Sequence, residues 1–439
     1  MIKPFAYSIG SGAGFAGDRI DPAVALARSG QVDAIGLECL AERTLVPALR
    51  ARAANPEAGA DPRLRRRLTP LLPAARATGC RIVSNLGAAN PLAAGRAIAA
   101  LARELGWPGL RVAAVEGDDM MGLLDHVAWT TPVEGVLIGA HAYLGADALV
   151  GAVAEGADVV VCGRAADSAL FAAPLLPHLD GSPEALAAAL TIGHLFECSG
   201  QLSGGNFEAP GEPPLAAEDL ARLGYPLAHV MPDGTAEITI LDDAPGRIDR
   251  MTCTVQLLYE VHDPAAYVTP DAIVDFTTIR FEQVGRNRVR MTGPGHRGRP
   301  PTLKVSGFVV RPGIIADIEI GFAGTGAYER TRRAVDTLRL RLADWADEDI
   351  RIDIVGVNSI LGDASAPTNA LPSEARLHVS AICVDEAQAL IVEDEVYALT
   401  LSGPAGGAGV RSERRARIDT LTGFIARERV RPAVHWSFA

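Results

Sequence analysis

Lysine is nearly absent from this chain of 439 residues: only two of its 41 basic side chains are lysines, and the rest are arginines. The formal net charge is −12, so the chain has no broad basic surface for the phosphate backbone of a nucleic acid. The one basic run, RLRRR at 63–67, falls in an amphipathic helix and is typical of a solvated helix face. We therefore expect no nucleic-acid partner.

Cysteines are also few, and long hydrophobic runs are lacking. The six cysteines are far apart, at positions 39, 80, 162, 198, 253 and 383, with neither a C-x-x-C pair nor a metal-ligand spacing. Several fall in apolar segments, which is typical of reduced core thiols. No signal-peptide core is visible near the N-terminus, and no apolar stretch is long enough to span a bilayer. These features predict a cytoplasmic protein with no membrane partner.

What the chain does have is an α/β pattern in its N-terminal half. Nearly continuous apolar runs alternate with helical segments, which predicts a mostly parallel sheet flanked by helices. The strand candidates are 6–10, 33–37, 81–84, 110–115, 135–139 and 158–162. Alternating strands follow in the C-terminal half, one of them predicted at 252–258, with segregated helices typical of an α+β domain. The predicted domains are α/β over 1–210, a linker over 211–234, and α+β over 235–439.

A glycine-rich loop follows the first predicted strand. Gly12, Gly14 and Gly17 have the spacing G-x-G-x-x-G, with an acidic residue about twenty positions on, which is typical of a dinucleotide-binding turn. In such a turn the glycines begin the helix, whereas here Asp21 as N-cap predicts a helix from 22 to about 29. A carboxylate at Asp18 would also repel a phosphate. An NAD(P) cofactor is therefore not favoured.

Polar residues follow each predicted strand, where ligands bind in open α/β sheets. The candidate proton-transfer groups are Glu38, Glu116, and the pair His194 and Glu197, which share one helix face. The candidate substrate-binding residues are Gly14, Asp18, Arg19, Asn85, Asn90, Arg164, Asp167, Gly406 and Gly407. The last two belong to a glycine-rich segment that could form an anion nest. Helix capping is the structural alternative for Asn90 and Asp167.

Asp118 and Asp119 form the one candidate metal site. With Glu116 they make an acidic cluster after the fourth predicted strand, and carboxylate oxygens are the ligands that Mg²⁺ and Ca²⁺ prefer. Acidic residues at a helix start also occur without a metal. A divalent metal ion is thus the cofactor that this cluster could hold.

Several longer motifs together resemble the acyclic terpene utilisation (AtuA-like) family. They are GFAGDR at 14–19, ECLAERT at 38–44, GAANP at 87–91, EGDD at 116–119, AYLGA at 142–146, GRAAD at 163–167, GHLFEC at 193–198, QLLYEVHDP at 256–264 and GPAGG at 403–407. The resemblance covers nearly the whole chain. Family members often carry a larger aromatic residue at Ala16 and an Asp-Tyr pair at Glu38-Cys39, which alters the expected pocket floor.

The resemblance implies a role in the catabolism of citronellol- and geraniol-type terpenes through branched acyl-CoA intermediates. We therefore expect an enzyme that hydrates, dehydrates or isomerises a branched or unsaturated carboxylic acid or its acyl-CoA thioester. The expected partners are that small molecule and further copies of the chain, with a small partner protein as an alternative. Two other functions stay open: an NAD(P)-dependent oxidoreductase that uses the Gly12–Gly17 loop, and a non-catalytic subunit of a carboxylase-type complex.

Overall fold

The computed structural model describes residues 5–362 and 372–439. Its strands are, in chain order, β1 (Tyr7–Ala13), β2 (Ala34–Leu37), β3 (Arg81–Ser84), β4 (Arg111–Glu116), β5 (Ala128–Trp129), β6 (Val136–Ala142), β7 (Val159–Cys162), β8 (Leu227–Val230), β9 (Ala236–Thr239), β10 (Tyr267–Val268), β11 (Ile273–Asp275), β12 (Arg280–Gly285), β13 (Arg288–Thr292), β14 (Gly295–His296), β15 (Thr302–Ala323), β16 (Ile350–Val355), β17 (Glu374–Cys383), β18 (Ala408–Ala426) and β19 (Ala433–Phe438). Its α-helices are α1 (Asp21–Ser29), α2 (Glu42–Ala54), α3 (Leu64–Thr78), α4 (Pro91–Glu104), α5 (Asp147–Ala154), α6 (Ala169–Leu175), α7 (Pro183–Phe196), α8 (Ala217–Leu220), α9 (Arg250–Leu258), α10 (Ala327–Arg341) and α11 (Glu386–Ser402).

A ten-stranded mixed sheet has the strand order β12-β13-β9-β8-β1-β2-β3-β7-β4-β19. Its centre is parallel: β1 pairs with β2, β2 with β3, and β7 lies between β3 and β4. These strands are the apolar runs of the N-terminal half, and almost every residue in them is buried. Helices α1, α3 and α4 pack on the sheet through a core that includes Leu26, Leu68 and Ile98.

The predicted mostly parallel sheet is wrong, because antiparallel strands extend this centre at both edges. Strands β8, β9, β13 and β12 continue it in antiparallel pairings on the β1 side, and β19 pairs antiparallel with β4 on the other. Antiparallel pairings outnumber parallel ones five to four. The fifth predicted strand, at 135–139, does not join this sheet: it lies in β6, which pairs with β15. The remaining main sheet has the order β16-β17-β15-β18-β5, with β15, β16 and β17 paired antiparallel.

A second correction concerns residues 252–258, where the sequence predicts a strand and the structure has helix α9. Asp249 is the N-cap: its Oδ1 accepts hydrogen bonds from the backbone N–H of Met251 at 2.8 Å and of Thr252 at 2.9 Å. The hydroxyl of Thr252 accepts from the N–H of Asp249 at 3.1 Å, which completes a capping box. This local capping overrides the β-propensity of the segment.

The described chain divides into two compact units. The first comprises Met1–Thr131, Gly139–Gly307 and Leu421–Ala439, and the second comprises Pro132–Ile138 and Phe308–Thr420. The second unit has its own core, in which side chains such as Ile318, Leu377 and Val396 pack together. The domain boundaries suggested by the sequence, 1–210 and 235–439 with a linker over 211–234, stay a prediction. Among the helices of residues 5–362 and 372–439, none is long and apolar enough to cross a membrane.

Candidate functional site

A cavity of about 370 Å³ lies within the first unit, beside the carboxyl ends of β2 and β7. Its polar lining consists of Glu42, Tyr143, Arg164, Asp167, Ser168, His194, Glu197, Glu260, Tyr267, Thr269, Thr302 and Lys304. Its apolar lining consists of Ala166, Val268, Pro270, Pro300, Leu303 and Phe424. A concave space of this size with both kinds of lining suits a small molecule with a charged end and an apolar body.

Arg164 supplies a fixed positive charge to the cavity wall. It follows β7 and is only 3% exposed. Its Nη1 donates to the carbonyl oxygen of Leu40, and its Nη2 lies 3.3 Å from Oδ1 of Asp167. The guanidinium carbon lies 4.2 Å from the ring centroid of Tyr143, a cation–π distance. Within the described residues its buried Nε has no hydrogen-bond partner. The guanidinium is therefore fixed in position but keeps one N–H donor that no described residue uses.

Glu38 is a buried acid next to this cation. Its Oε1 accepts hydrogen bonds from the N–H of Leu40 at 2.7 Å and from Nδ2 of Asn85 at 3.0 Å. Oδ1 of Asn85 accepts in turn from the N–H of Cys39 at 2.7 Å, which fixes the amide. Burial raises the pKa of Glu38, although the charge of Arg164 and the two hydrogen bonds oppose the increase. Glu38 does not line the cavity itself, and it affects the cavity through its interaction with Arg164 and through its charge, which raises the pKa of Asp167.

Asp167 is the acid in the cavity wall that shares Arg164 with Glu38. Its side chain is 35% exposed. Desolvation raises the pKa of Asp167 well above its ordinary value; Arg164 opposes this, and the charges of Glu38 and Glu197 increase it further. Because several carboxyls surround one buried guanidinium, they cannot all ionise together at low cost. We expect the Glu38–Asp167 pair to keep one proton at neutral pH.

His194 and Glu197 lie one helical turn apart at the end of α7. Nδ1 of His194 lies 2.8 Å from Oε1 of Glu197, and Nε2 lies 3.1 Å from the carbonyl oxygen of Leu257. A carbonyl oxygen can only accept, so Nε2 carries a hydrogen. Burial lowers the pKa of His194, but the adjacent Glu197 charge outweighs it and the net shift is upward. Glu197 thus favours the protonated form of His194, and both ring nitrogens have a hydrogen-bond partner.

A close approach between helices sets the distance of this pair from Asp167. A Cβ on Gly193 would lie 2.7 Å from Cα and 2.8 Å from the carbonyl carbon of Ser168, so only glycine fits there. Tyr267 and Phe276 pack on the ring of His194 at centroid distances of 4.7 and 5.4 Å. These contacts leave His194 little freedom to reorient.

Glu42, Tyr143 and Lys304 form a second charged group in the wall. The Tyr143 hydroxyl donates to Oε1 of Glu42, and Nζ of Lys304 lies 3.7 Å from the same oxygen. Burial alone would raise the pKa of Glu42, but the hydrogen bond from Tyr143 and the charges of Arg164 and Lys304 lower it to about 2. Glu42 is thus ionised, while Lys304, with 45% of its side chain exposed, is the accessible cation of the cavity.

The two aspartates predicted to bind a metal face different partners. Asp118 is buried, and its Oδ2 lies 2.8 Å from Nδ1 of His141 and accepts from the N–H of Arg164 at 2.9 Å. Asp119 accepts from a backbone N–H at 3.0 Å and lies 3.6 Å from Nη1 of Arg52. In the part of the chain that the structure describes, no three His, Cys, Asp or Glu side chains converge as a metal site would require. Asp118 instead orients the loop that carries Arg164.

The glycine-rich loop is closed by its own aspartate. Oδ2 of Asp18 accepts from the N–H of Gly14 at 2.8 Å, and Oδ1 accepts from the N–H of Arg19 at 2.8 Å and from the hydroxyl of Tyr225. Asp21 pairs with Arg19 instead of capping α1, which begins at Asp21 itself. The backbone N–H of Gly14 is therefore already hydrogen-bonded to Asp18 and is not free to bind a ligand. None of the predicted substrate-binding residues Gly14, Asp18 and Arg19 lines the cavity.

The other predicted substrate-binding or catalytic residues also lie outside the cavity lining. Asn90 caps α4 through the N–H of Ala93 at 3.1 Å, and its Nδ2 donates to two backbone carbonyls. Glu116 ends β4, with Oε1 3.0 Å from Nε2 of His435. Gly406 and Gly407 belong to the second unit.

Five residues outside the predicted site set contribute titratable side chains to the cavity lining: Glu42, Tyr143, Lys304, Glu260 and Tyr267. Glu42, Tyr143 and Glu260 lie in motifs that carry the family resemblance, but the sequence assigned them no role in the site. The rarity of lysine in this chain could have pointed to Lys304 as a functional residue. Glu260 has a φ of +59°, a left-handed backbone conformation that few non-glycine residues adopt. Nothing in the sequence around Glu260 indicates that conformation.

A sequence model described as the acyclic terpene utilisation family protein AtuA matches residues 7–436. No curated protein matches the sequence.

Proposed function

Since the chain belongs to the acyclic terpene utilisation family, we propose that it is a catabolic enzyme that moves protons on a branched or unsaturated carboxylic acid or its acyl-CoA thioester. The reaction class is hydration, dehydration or isomerisation of a carbon–carbon double bond next to a carbonyl group. The cavity of the first unit is the proposed active site.

One arrangement carries this proposal: two carboxyls, Asp167 and Glu197, line the same cavity beside the buried guanidinium of Arg164. Desolvation raises the pKa of Asp167 well above its ordinary value, with Arg164 opposing, which suits Asp167 to the role of general acid. Glu197 would be the general base. Two carboxyls in one cavity, one to give a proton and one to take it, are the arrangement that acid–base chemistry needs.

The positive groups of the cavity would bind the carbonyl or carboxylate end of the substrate. Lys304 is accessible, and Arg164 adds a fixed charge beside it. Such charges stabilise the enolate oxygen that develops when a proton leaves or joins the neighbouring carbon. The apolar part of the lining, including Leu303 and Phe424, would hold the branched carbon chain.

In the proposed hydration, one carboxyl accepts a proton from water and the other donates a proton to the substrate. Glu197 takes a proton from water as the water oxygen bonds to the β-carbon, and Asp167 gives its proton to the α-carbon. Glu197 ends protonated and Asp167 ionised, and exchange with solvent restores both. Dehydration is the reverse, and isomerisation uses the same two carboxyls without water. His194 holds the Glu197 carboxylate in place and stabilises its charge.

The test is incorporation of solvent deuterium by the purified chain in heavy water, followed by mass spectrometry on a panel of branched enoyl-CoA esters and their free acids. Wild-type protein should exchange hydrogen at the α-carbon of at least one member. Asp167→Asn should reduce the exchange by about a hundredfold or more, the usual effect of removing a general acid. Asp125→Asn, an exposed aspartate outside the cavity lining, is the matched control and should leave it unchanged.

Exchange at the wild-type rate in Asp167→Asn would contradict the role of Asp167. No exchange by wild-type protein with any member of the panel would contradict proton transfer as the function.

A further inference from the structure

A second concave surface of the first unit is a groove rich in arginine, with a volume of about 770 Å³. One wall is a face of α1 with Val24, Ala25 and Arg28, and the other is a face of α3 with Arg66 and Arg67. Positions 24 and 25 lie four and three residues before 28, and positions 66 and 67 lie four and three residues before 70, so each set lies on one side of its helix. Residues 17–20 close one end. The groove and the cavity described above have no lining residue in common.

The groove carries an excess of positive charge that its own acids do not neutralise. Five arginines line it against two aspartates, Asp18 and Asp21. Both carboxylates are already used: Asp18 binds loop amides and the hydroxyl of Tyr225, and Asp21 pairs with Arg19. The chain as a whole has a formal net charge of −12, so the groove is a positively charged region on an acidic protein.

Arg28 in α1 and Arg66 in α3 are exposed arginines that line the groove. Across residues 5–362 and 372–439, neither side chain takes part in an ion pair, a hydrogen bond or a ring contact. Arg65, their neighbour on the other side of α3, pairs instead with Glu104 through two guanidinium nitrogens. Among the described residues, Arg28 and Arg66 are thus groove arginines without an ion-pair partner, whereas Arg19 of the same groove pairs with Asp21.

Arg67 is the buried arginine of the groove. It is 1% exposed, and its guanidinium donates to backbone carbonyls of the loop, to Ala16 at 3.2 Å and Asp18 at 3.1 Å. Its charge interacts with the carboxyl of Asp61, but within the described residues its Nε has no acceptor. The guanidinium therefore adds to the positive potential at the floor of the groove.

We propose that this groove binds a small molecule that carries two or more phosphate groups, of the nucleoside diphosphate type. Guanidinium groups bind phosphate oxygens in pairs of parallel hydrogen bonds, and Arg28 and Arg66 present two from opposite walls. Val24, Ala25 and Pro70 offer an apolar surface for the remainder of the ligand. The concave shape and the acidic remainder of the chain favour a small molecule over a nucleic acid strand.

The test is isothermal titration calorimetry of the full chain with pyrophosphate, ADP and adenosine 3′,5′-bisphosphate at low ionic strength. Wild-type protein should bind at least one of them, more weakly as salt is added, and more tightly than inorganic phosphate. The double variant Arg28→Ala, Arg66→Ala should bind about tenfold more weakly or worse, because each charge-assisted bond contributes about 1.5–3 kcal/mol. Arg65→Ala is the matched control on the same helix and should bind like the wild type.

The preferred ligand identifies the source of the phosphates: pyrophosphate alone indicates an inorganic anion, and a gain with either nucleotide indicates that the adenosine is also bound. Absence of binding heat with all three ligands at about 1 mM, or equal affinity in the double variant and the wild type, would overturn the proposal. Both results are independent of proton-transfer activity.

Discussion

Lys304 is one of only two lysines in the chain, and it lies in the cavity. Almost every basic side chain of the sequence is an arginine. In the cavity, however, the basic group that pairs with Glu42 in the wall is a lysine, with Nζ 3.7 Å from Oε1 of Glu42. A compact ammonium on a flexible stem can follow a charge that develops during a reaction, whereas a planar guanidinium is better suited to a fixed pair such as that of Arg164. Rarity alone could have drawn attention to Lys304, but only the fold brings it to the cavity.

Arg164, Asp167, His194 and Glu197 are residues that sequence reasoning selected and that the structure places at the cavity. They share a simple origin, since the first two follow a parallel strand and the other two share a helix face. Asp18, Asn90 and Glu116 have similar sequence settings but satisfy local amides, a helix cap and a histidine. A single sequence cannot separate these cases, because a carboxylate or amide at a strand end suits a loop as well as a ligand.

Tyr143→Phe tests the electrostatics of the cavity through acid stability. The pKa of Glu42 is lowered to about 2, although burial opposes this, because Tyr143 donates a hydrogen bond and Arg164 and Lys304 are near. A lowered native pKa stabilises the fold at pH values above the unfolded pKa of 4.5, and this stability is lost as pH falls from about 4.5 towards 2. Removing the hydroxyl raises the pKa of Glu42, so the variant should unfold at a higher pH.

Circular dichroism during titration from neutral pH to about pH 2 measures the midpoint of acid unfolding. Tyr397→Phe, which removes the hydroxyl of an exposed tyrosine in α11, is the control. An unchanged midpoint in Tyr143→Phe would show that this hydroxyl does not stabilise the Glu42 carboxylate.

At the scale of elements, local patterns predicted most segments but not their partners. The apolar runs at 6–10, 33–37, 81–84, 110–115 and 158–162 correspond to β1, β2, β3, β4 and β7, the parallel centre of the large sheet. The run at 135–139 has the same composition, yet β6 pairs with β15. Apolar continuity reports burial on both faces and says nothing of which strand lies alongside.

Gly193→Ala tests how helix packing sets the geometry of the cavity. The added methyl group would overlap the backbone of Ser168, at 2.7 Å from its Cα, and push α7 away from the segment that carries Asp167. We expect a loss of about 1–3 kcal/mol in the free energy of unfolding and slower deuterium exchange, because Glu197 moves with the helix.

Gly151→Ala is the matched control, since Gly151 is an exposed glycine inside helix α5 with nothing near the added methyl group. It should increase the free energy of unfolding by about 0.5–1 kcal/mol. Urea unfolding monitored by circular dichroism measures both variants. Equal stability of Gly193→Ala and wild type would mean that the two segments are not held at the observed distance.

At the scale of the whole molecule, the C-terminal half completes a sheet that the N-terminal half begins. Strands β8, β9, β12, β13 and β19 follow residue 226 in the chain, yet they extend the parallel centre at both edges. Division of the sequence by pattern assigns each half its own sheet, because long-range pairing leaves no mark in the local alternation of side chains. This is why the predicted mostly parallel fold was wrong although most of its strands exist.

At the same scale, the balance of basic and acidic side chains distinguishes the two concave surfaces of the first unit. With a net charge of −12 and almost no lysine, the chain is acidic, and its two concave surfaces differ in their balance of basic and acidic side chains. The cavity has Arg164 and Lys304 among several acids, while the groove has five arginines and only two acids. The first suits acid–base chemistry on an anionic substrate, and the second suits binding of a multivalent anion.

Infrared difference spectroscopy tests most directly whether the cavity holds a proton at neutral pH. The spectrum of Asp167→Asn is subtracted from that of the wild type at pH 7, in the region where the carbonyl of a protonated carboxyl absorbs. Asp167 and Glu38 both interact with Arg164, so removing Asp167 leaves Glu38 without that competing carboxyl beside the guanidinium, and we predict that a carboxylic acid band present in the wild type is lost in the variant. A difference spectrum with carboxylate bands only would contradict a proton-bearing carboxyl in the cavity.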